Sequence, residues 1–354
     1  MKILRLYTRL PPLPGGMENH IAQLTKEQIH LGHEVVIYFN KGNNVSSNDV
    51  QVSKLPLHKL KPQFIGILLF YFCAYIKLLT KRQKFDLIHI HGDWSSLIFS
   101  NLIRKVVGAE KIFFSIHDEL SSNFFSKKAL SLLLGNTDLI FASGYSLASQ
   151  LNKITKKKII VQPSGVKTIF FKRIEKVFNH NSFQVITTAS LVKKKNLSLV
   201  LDIAKALPLV NFIIVGEGPE KKYLLGRINY EDITNVQVLG YKTPDELLVL
   251  YQVSDIFMIT SLREGTPTAM LEAMACGLPI ITSGAGGVKR ILEPYNDIVN
   301  KNNKESYVAS ISELIKDVGI MRVTSKHNIE RSQLFSWKNI AKKIDRYIID
   351  SFKL

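Results

Sequence analysis

Short apolar segments of strand character alternate with longer segments of helical period along almost the whole chain, and nothing else in the sequence constrains its fold as strongly. In the first half the strand candidates are residues 3–7, 34–39, 86–90, 111–116, 138–142 and 158–161. Helical stretches fall between them at 17–31, 64–81, 97–107, 127–134 and 145–151. Parallel strands need a crossover of about a dozen residues or more, usually helical, so this rhythm predicts a parallel sheet covered on both faces. The pattern breaks after Pro163-Ser-Gly165, and the polar stretch 172–182 reads as a linker. It restarts with strands at 184–188, 211–215, 236–239, 255–260 and 279–282, and helices at 197–207, 220–228, 244–253 and 267–276. Residues 337–352 read as a long basic amphipathic helix. A chain of 354 residues exceeds one ordinary core. The expected architecture is α/β: two doubly wound, Rossmann-like domains, 1–165 and 183–336, facing a cleft. Ligands of such sheets bind beyond the carboxyl ends of the strands.

Composition narrows the class. With 46% apolar and 21% charged residues the chain is globular, not disordered. Its two cysteines, Cys73 and Cys276, lie in apolar runs. They make neither a disulfide framework nor a zinc-ligand spacing, and they suit a reducing, cytoplasmic setting. The chain opens directly on a strand-like run, Met1-Lys-Ile-Leu-Arg-Leu-Tyr7, so no secretory signal is expected. The net charge of +18 calls for an anionic partner or a lysine-rich compositional bias, and the bias accounts for part of it. An anionic membrane surface is favoured, since each nearby Lys or Arg contributes roughly 1 kcal/mol there. Nucleic acid is not expected, because no module that reads it is visible. The most apolar segment, Phe64–Ile76, runs for 13 residues, short of the ~20 that span a bilayer. It reads as a core helix. The alternative is a helix lying in the membrane interface, with Lys77, Lys81, Arg82 and Lys84 at the head groups.

Chemistry concentrates at predicted strand ends. Two acids bracket Glu264-Gly-Thr-Pro-Thr-Ala-Met-Leu-Glu272, which follows the apolar run 256–260. Thr266 is the expected N-cap of the helix and Pro267 its first residue, while Gly277 and Pro279 end it. One carboxylate therefore lies at a strand-to-helix turn and the other projects from a helix buried on most sides. Buried carboxylates need hydrogen-bond partners, and sugar or ribose hydroxyls supply them; helix-start amides favour phosphate. The same positions carry Gly15-Gly16, Lys195 in Ser190-Leu-Val-Lys-Lys-Lys-Asn196, Gly218 in Val215-Gly-Glu-Gly-Pro219, and Gly284-Ala-Gly-Gly287. Singly, each is also what an ordinary turn or a solvated basic loop looks like. His117 follows a strand and is a candidate for substrate contact, whereas His89 reads as core. No metal-ligand constellation appears, and neither metal nor other cofactor is expected.

These residues resemble glycosyltransferase family 4, the retaining nucleotide-sugar enzymes of the GT-B fold, over nearly the whole chain. Ser261–Pro279 is similar to the family's E-x7-E signature. Gly15-Gly-Met-Glu18, Gly32-His-Glu-Val35, His89-Ile-His91, Pro163-Ser-Gly-Val166, Val215–Pro219 and Ser254-Asp-Ile256 support it in order and spacing. The resemblance implies that Glu264 bonds the donor sugar's hydroxyls and Glu272 the ribose. It implies that Gly16, Lys195 and the amides of Thr266 and Thr268, with Gly265 and Pro267, surround the diphosphate. Gly240-Tyr241-Lys242 would lie near the base, and His117 on the sugar and acceptor side. The N-terminal half would bind acceptor, and the 337–354 helix would return to it. Two departures are present: Ser190 stands where the family often has Arg, and Val288-Lys-Arg290 where it often has Glu.

The function expected is hexosyl transfer from a nucleotide sugar, UDP-hexose before GDP-mannose, to a glycan or lipid-linked saccharide of a bacterial cell surface, at the cytoplasmic face of the membrane. The competing classes are a sugar-nucleotide epimerase of similar architecture and a non-catalytic sugar-nucleotide-binding protein. An oxidoreductase is disfavoured by the missing G-x-G-x-x-G fingerprint.

Overall fold

The structure is a computed structural model that describes residues 1–13, 16–117, 120, 123–172, 183–285, 287–292, 294, 296–299 and 301–353. The chain divides into two compact units, one of residues 1–164 and 337–354, the other of residues 165–336. Most of the polar stretch expected as a linker lies outside the described residues.

Unit 1 contains β1 (Lys2–Leu6), α1 (Gly16–His30), β2 (Glu34–Phe39), β3 (Val50–Gln51), α2 (Gln63–Lys81), β4 (Leu87–His91), α3 (Ser100–Val107), β5 (Lys111–Ile116), α4 (Phe124–Leu133), β6 (Leu139–Ala142), α5 (Tyr145–Leu151) and β7 (Ile159–Val161). Its seven strands are parallel, in the order β3-β2-β1-β4-β5-β6-β7. Strands such as Val35-Val-Ile-Tyr-Phe39 are apolar throughout because both faces of the sheet are covered. One covering layer includes α13 (Trp337–Phe352). Its Trp337, Ile340, Ala341, Ile344 and Ile348 recur at helical spacing and pack with Ile3, Val35, Leu87 and Phe113 of the strands. His33 Nε2 and Asp345 Oδ1, 2.6 Å apart, fix the helix further.

Unit 2 contains β8 (Phe183–Thr188), α6 (Ser198–Ala206), β9 (Val210–Val215), α7 (Lys221–Tyr230), β10 (Val236–Val238), α8 (Pro244–Val253), β11 (Ile256–Ile259), α9 (Thr268–Ala275), β12 (Ile280–Thr282), α10 (Val288–Leu292), β13 (Asp297–Ile298), α11 (Lys304–Lys316) and α12 (Val318–Ser332). Its six parallel strands run β10-β9-β8-β11-β12-β13. In each sheet the strand order reverses beside the first strand, the geometry that opens a crevice at the strand ends.

Three expectations need correction. The helix expected over 97–107 is a 3-10 turn, Trp94–Leu97, followed by α3. Asp93 Oδ1 accepts from the Ser95 N–H at 2.9 Å and the Ser96 hydroxyl donates to the Asp93 carbonyl at 2.5 Å, local bonds that compete with helix. The N-cap of α9 is Pro267, not Thr266, so Pro267 is not its first helical residue; Pro267 has an extended ψ of 116°. Finally, the short elements β3, α10 and β13 and the helices α11 and α12 have no counterpart among the sequence-derived elements. Four of the five buried residues of α12, Thr324, Ser325, Asn328 and Ser332, are polar, so no apolar stripe marks it. Asn328 anchors it by donating to the Leu278 carbonyl at 2.7 Å.

Candidate active site

In unit 2 the loops that leave β8, β9, β10 and β11, four neighbouring strands, are tied together by backbone bonds. The Leu191 N–H donates to the Glu217 carbonyl at 2.9 Å, the Gly216 N–H to Gly240 at 2.8 Å, and the Leu262 N–H to Lys194 at 2.9 Å. Gly216 and Gly218 have φ of +145° and +157°. A Cβ on either would overlap the carbonyl oxygen of Ala189 or Leu191, so only glycine allows this approach. The Thr260 hydroxyl donates to the Lys195 carbonyl at 3.0 Å, which clamps the lysine loop to the end of β11.

Lys195 ends a 3-10 turn, Lys193–Lys195, and Asn196 follows in the left-handed region at φ +51°. Lys193 and Lys194 are exposed. Lys195 turns inward, with its Nζ 2.5 Å from Glu264 Oε1 and the side chains only 16% and 8% exposed. A charge pair drawn this far from water keeps its geometry, because either partner alone would be stranded. Eight residues on, Glu272 projects from α9, whose Met270, Leu271, Ala273, Met274 and Ala275 are buried. Tyr251 of α8 donates its hydroxyl to Glu272 Oε2 at 3.2 Å. Burial pushes the Glu272 carboxyl up to about 7, against the pull of that hydrogen bond. No side-chain cap bond closes the start of α9, and Gly277, at φ +76°, ends the helix in a Schellman turn. Tyr241 is exposed, Lys242 Nζ is 2.8 Å from Glu246 Oε1, and Ser190 is exposed.

Unit 1 holds the other candidates. Gly16 is the exposed first residue of α1; Gly15 lies outside the described residues. His117, just past β5, belongs to a ring cluster with His91 of β4 and His20 of α1. His91 Nδ1 and His117 Nε2 are 3.4 Å apart, the His20 and His117 rings 4.8 Å, and the His20 and Trp337 rings 5.1 Å. Burial pushes His117 down to about 4, and His20 and His91 also lie well below the ordinary range, through burial first and then through the neighbouring charges of His117 and Arg5. His89 is buried and hydrogen-bonded to the Ser115 hydroxyl at 2.8 Å. The cluster borders a cavity of about 400 Å³ whose lining includes Tyr7, Arg9, Gln63, Trp94, His117 and Lys127. Among the described residues no three of His, Cys, Asp and Glu are grouped as metal ligands would be.

Residues 168–331 match the family described as Glycosyl transferases group 1, and residues 14–170 match Glycosyltransferase Family 4. The chain belongs to the GT-B glycosyltransferases. This glycosyltransferase is 26% identical over 373 residues to a human phosphatidylinositol N-acetylglucosaminyltransferase subunit, with 95% of this chain and 73% of that one covered. It is 23% identical over 300 residues to the Escherichia coli UDP-Gal:alpha-D-GlcNAc-diphosphoundecaprenol alpha-1,3-galactosyltransferase, across 76% and 75% of the two chains. The solved structure of Anabaena HepE, in complex with UDP and glucose, superposes with a TM-score of 0.78 at 18% identity, over 99% of this chain and 100% of that one. With these relatives the enzyme is a hexosyltransferase.

The glycosyltransferase's unit 2 brings Lys195 and Glu264 into contact and joins the loops of Ser190, Gly218, Tyr241 and the 264–268 turn along one sheet edge. Sequence reasoning missed four supporting residues. Tyr251 reaches Glu272 from a different helix. Tyr307 donates to the Ile259 carbonyl at 2.6 Å and accepts from the Ser283 N–H at 3.1 Å. Asn302 donates to the Thr260 carbonyl at 3.0 Å. His20 completes the histidine cluster. None of the four carried a signal in the sequence, because each acts through a partner on a different element.

Proposed function

We propose that this glycosyltransferase moves a hexosyl unit, with retention at the anomeric carbon, from UDP-hexose to a lipid-linked saccharide in the assembly of a bacterial cell-surface polysaccharide such as lipopolysaccharide or capsule, working at the cytoplasmic face of the membrane. GDP-mannose is the alternative donor. The observation that carries the reading is the Lys195–Glu264 pair, held 2.5 Å apart at the end of β11. Glycosyl transfer separates an oxocarbenium-like sugar from a departing diphosphate, and a fixed cation in a water-poor site stabilises that anion. Lys195 and the amides that begin α9 take this role. Glu264 accepts hydrogen bonds from the sugar's hydroxyls, and Glu272, backed by Tyr251, from the ribose. The 240–242 segment lies near the base. His117, neutral at pH 7, hydrogen-bonds on the acceptor side, and the cavity beside it takes the acceptor. The acceptor hydroxyl attacks from the leaving-group face and gives its proton to the diphosphate oxygen as the glycosidic bond breaks.

Support for the donor is the UDP and glucose bound to HepE and the UDP-Gal in the name of the E. coli relative. Support for a lipid acceptor is the phosphatidylinositol and the diphosphoundecaprenol in the names of the two relatives. Support for the membrane is the net charge of +18. The test is a thermal-shift panel of UDP-glucose, UDP-galactose, UDP-N-acetylglucosamine and GDP-mannose, since a ligand bound to the native state raises Tm. A UDP-sugar is expected to give the largest rise, followed by its hydrolysis or transfer with an α-anomeric product. No shift from any of the four, or a β product from an α-linked donor, overturns the reading.

A further inference from the structure

One face of α2 has no role in the donor chemistry. Gly66, Phe70, Tyr71, Ala74 and Leu78 are buried in unit 1. On the other side Ile65, Leu69, Phe72, Ile76 and Leu79 are each 40–48% exposed. They recur at intervals of four, three, four and three residues, which places them in one stripe along the helix. Ile98 and Leu102, beside and on the neighbouring α3, are exposed as well. Soluble monomers rarely leave so continuous an apolar surface uncovered.

The charge around the stripe identifies what covers it. Residues 51–85 contain seven Lys and Arg and not one Asp or Glu. Lys61, Lys81, Arg82 and Lys84 flank the two ends of the helix and are exposed. An apolar stripe with a purely cationic border matches an anionic bilayer, whose acyl boundary takes the apolar side chains and whose head groups meet the lysines. The whole helix runs for 19 residues, six more than the apolar segment 64–76 within it, and by length and composition it is long and apolar enough to cross a membrane. It is nevertheless keyed into the core of unit 1 along Phe70, Tyr71, Ala74 and Leu78, each at most 1% exposed, so lipid cannot surround it. The cavity beside His117 adjoins the same helix: Gln63, Ile67 and Tyr71 line it, and the Phe64 ring lies tilted 6.2 Å from that of its Trp94.

We propose that α2 lies flat in the interface of an anionic bilayer, with its Ile65–Leu79 stripe immersed and its basic ends on the head groups. This names the face behind the membrane location proposed above and rests on that reading for the acceptor alone. The test is co-sedimentation of the full chain with vesicles of phosphatidylglycerol and phosphatidylcholine, against phosphatidylcholine alone. The wild type is expected to bind the anionic vesicles at least about tenfold more tightly. Leu69→Glu with Ile76→Glu is expected to lower that binding by about 100-fold, because two apolar anchors become charges that the lipid repels. Lys61→Glu with Lys81→Glu is expected to remove the preference for anionic lipid. Both variants should keep the wild-type Tm and the Tm rise on UDP-sugar, so a failure of the donor reading would appear separately, as loss of that rise in the wild type. Equal binding by the wild type and the Leu69/Ile76 variant overturns the proposal, as does a wild type that ignores both vesicles. A solution dimer that the Leu69/Ile76 variant dissociates would assign the face to a second copy of the chain and overturn it too.

Discussion

Lys195 and Glu264 are adjacent in space through an accident of neither sequence distance nor charge density: two other lysines precede Lys195 and point outward. Removing the inward one should therefore act on the reaction and not only on the surface. Lys195→Ala is expected to lower kcat/KM by about 100-fold, on the order of 3 kcal/mol of transition-state stabilisation. Steady-state rates with the donor found in the thermal-shift panel check this, and near-wild-type turnover would take Lys195 out of the mechanism. Glu264→Gln is expected to abolish most transfer while leaving the Tm rise on UDP intact. Equal loss of both would assign Glu264 a structural role. Glu272 makes a prediction in pH. Its carboxyl is raised from 4.5 to about 7 by burial. Between those values the folded state holds a proton that the unfolded chain has released, so stability falls as pH rises. The loss by pH 8 is on the order of 3 kcal/mol. Glu272→Gln should flatten that slope, raise nucleotide-free stability at pH 8, and weaken nucleotide binding at least about tenfold. Denaturant melts between pH 5 and 8 measure the first two effects. The two acids were visible in the sequence because Glu264 directly follows an apolar strand and Glu272 stands in a helix with little else that is polar. Tyr251, which orients the second one, was not, because its pairing depends on how α8 lies against α9.

At the scale of elements, the loops after β8 and β9 depend on two glycines. Gly216→Ala places a methyl group against the Ala189 carbonyl at a φ of +145°. We expect a loss of stability of about 3 kcal/mol and a displaced Lys195 loop, read as a lowered denaturant midpoint together with a smaller Tm rise on UDP-sugar. Unchanged values would mean that the two loops do not need to approach. Eleven strands were legible because burial on both faces leaves uninterrupted apolar runs, and β2, β5, α5 and α8 begin and end where the sequence placed them, whereas the two-residue edge strands β3 and β13 are too short to show a pattern. The 3-10 turn before α3 was not, because Asp93, Ser95 and Ser96 settle it by short-range side-chain bonds that look like helix-compatible polarity. α12 escaped for a different reason: it packs through Thr324, Ser325 and Asn328, and a polar contact surface has no hydrophobic period.

Taken unit by unit, the whole molecule should respond to acid in two ways. His117 is lowered from 6.5 to about 4, and His20, His89 and His91 are also lowered by burial and by neighbouring charges. An unfolded chain takes up these protons first, so the stability of unit 1 is complete above pH 6.5 and is lost as pH falls toward 4. His117 alone accounts for roughly 3 kcal/mol of it. Glu272 acts in the opposite sense in unit 2. Hydrogen exchange corrected for its intrinsic pH dependence should show unit 1 opening first at pH 5, with β4 and β5 among the segments that lose protection; uniform loss over both units would contradict this. Sequence alone determined two parallel α/β sheets, because alternating apolar strands and helical crossovers admit almost no other arrangement, and it marked the strand ends where chemistry collects. Tertiary structure alone decided what Lys195 pairs with, which tyrosine holds Glu272, and that α2 shows lipid-like side chains on one side while burying the other. Those outcomes depend on contacts between residues far apart along the chain, and a one-dimensional pattern reports the local period of a segment but not what its faces meet.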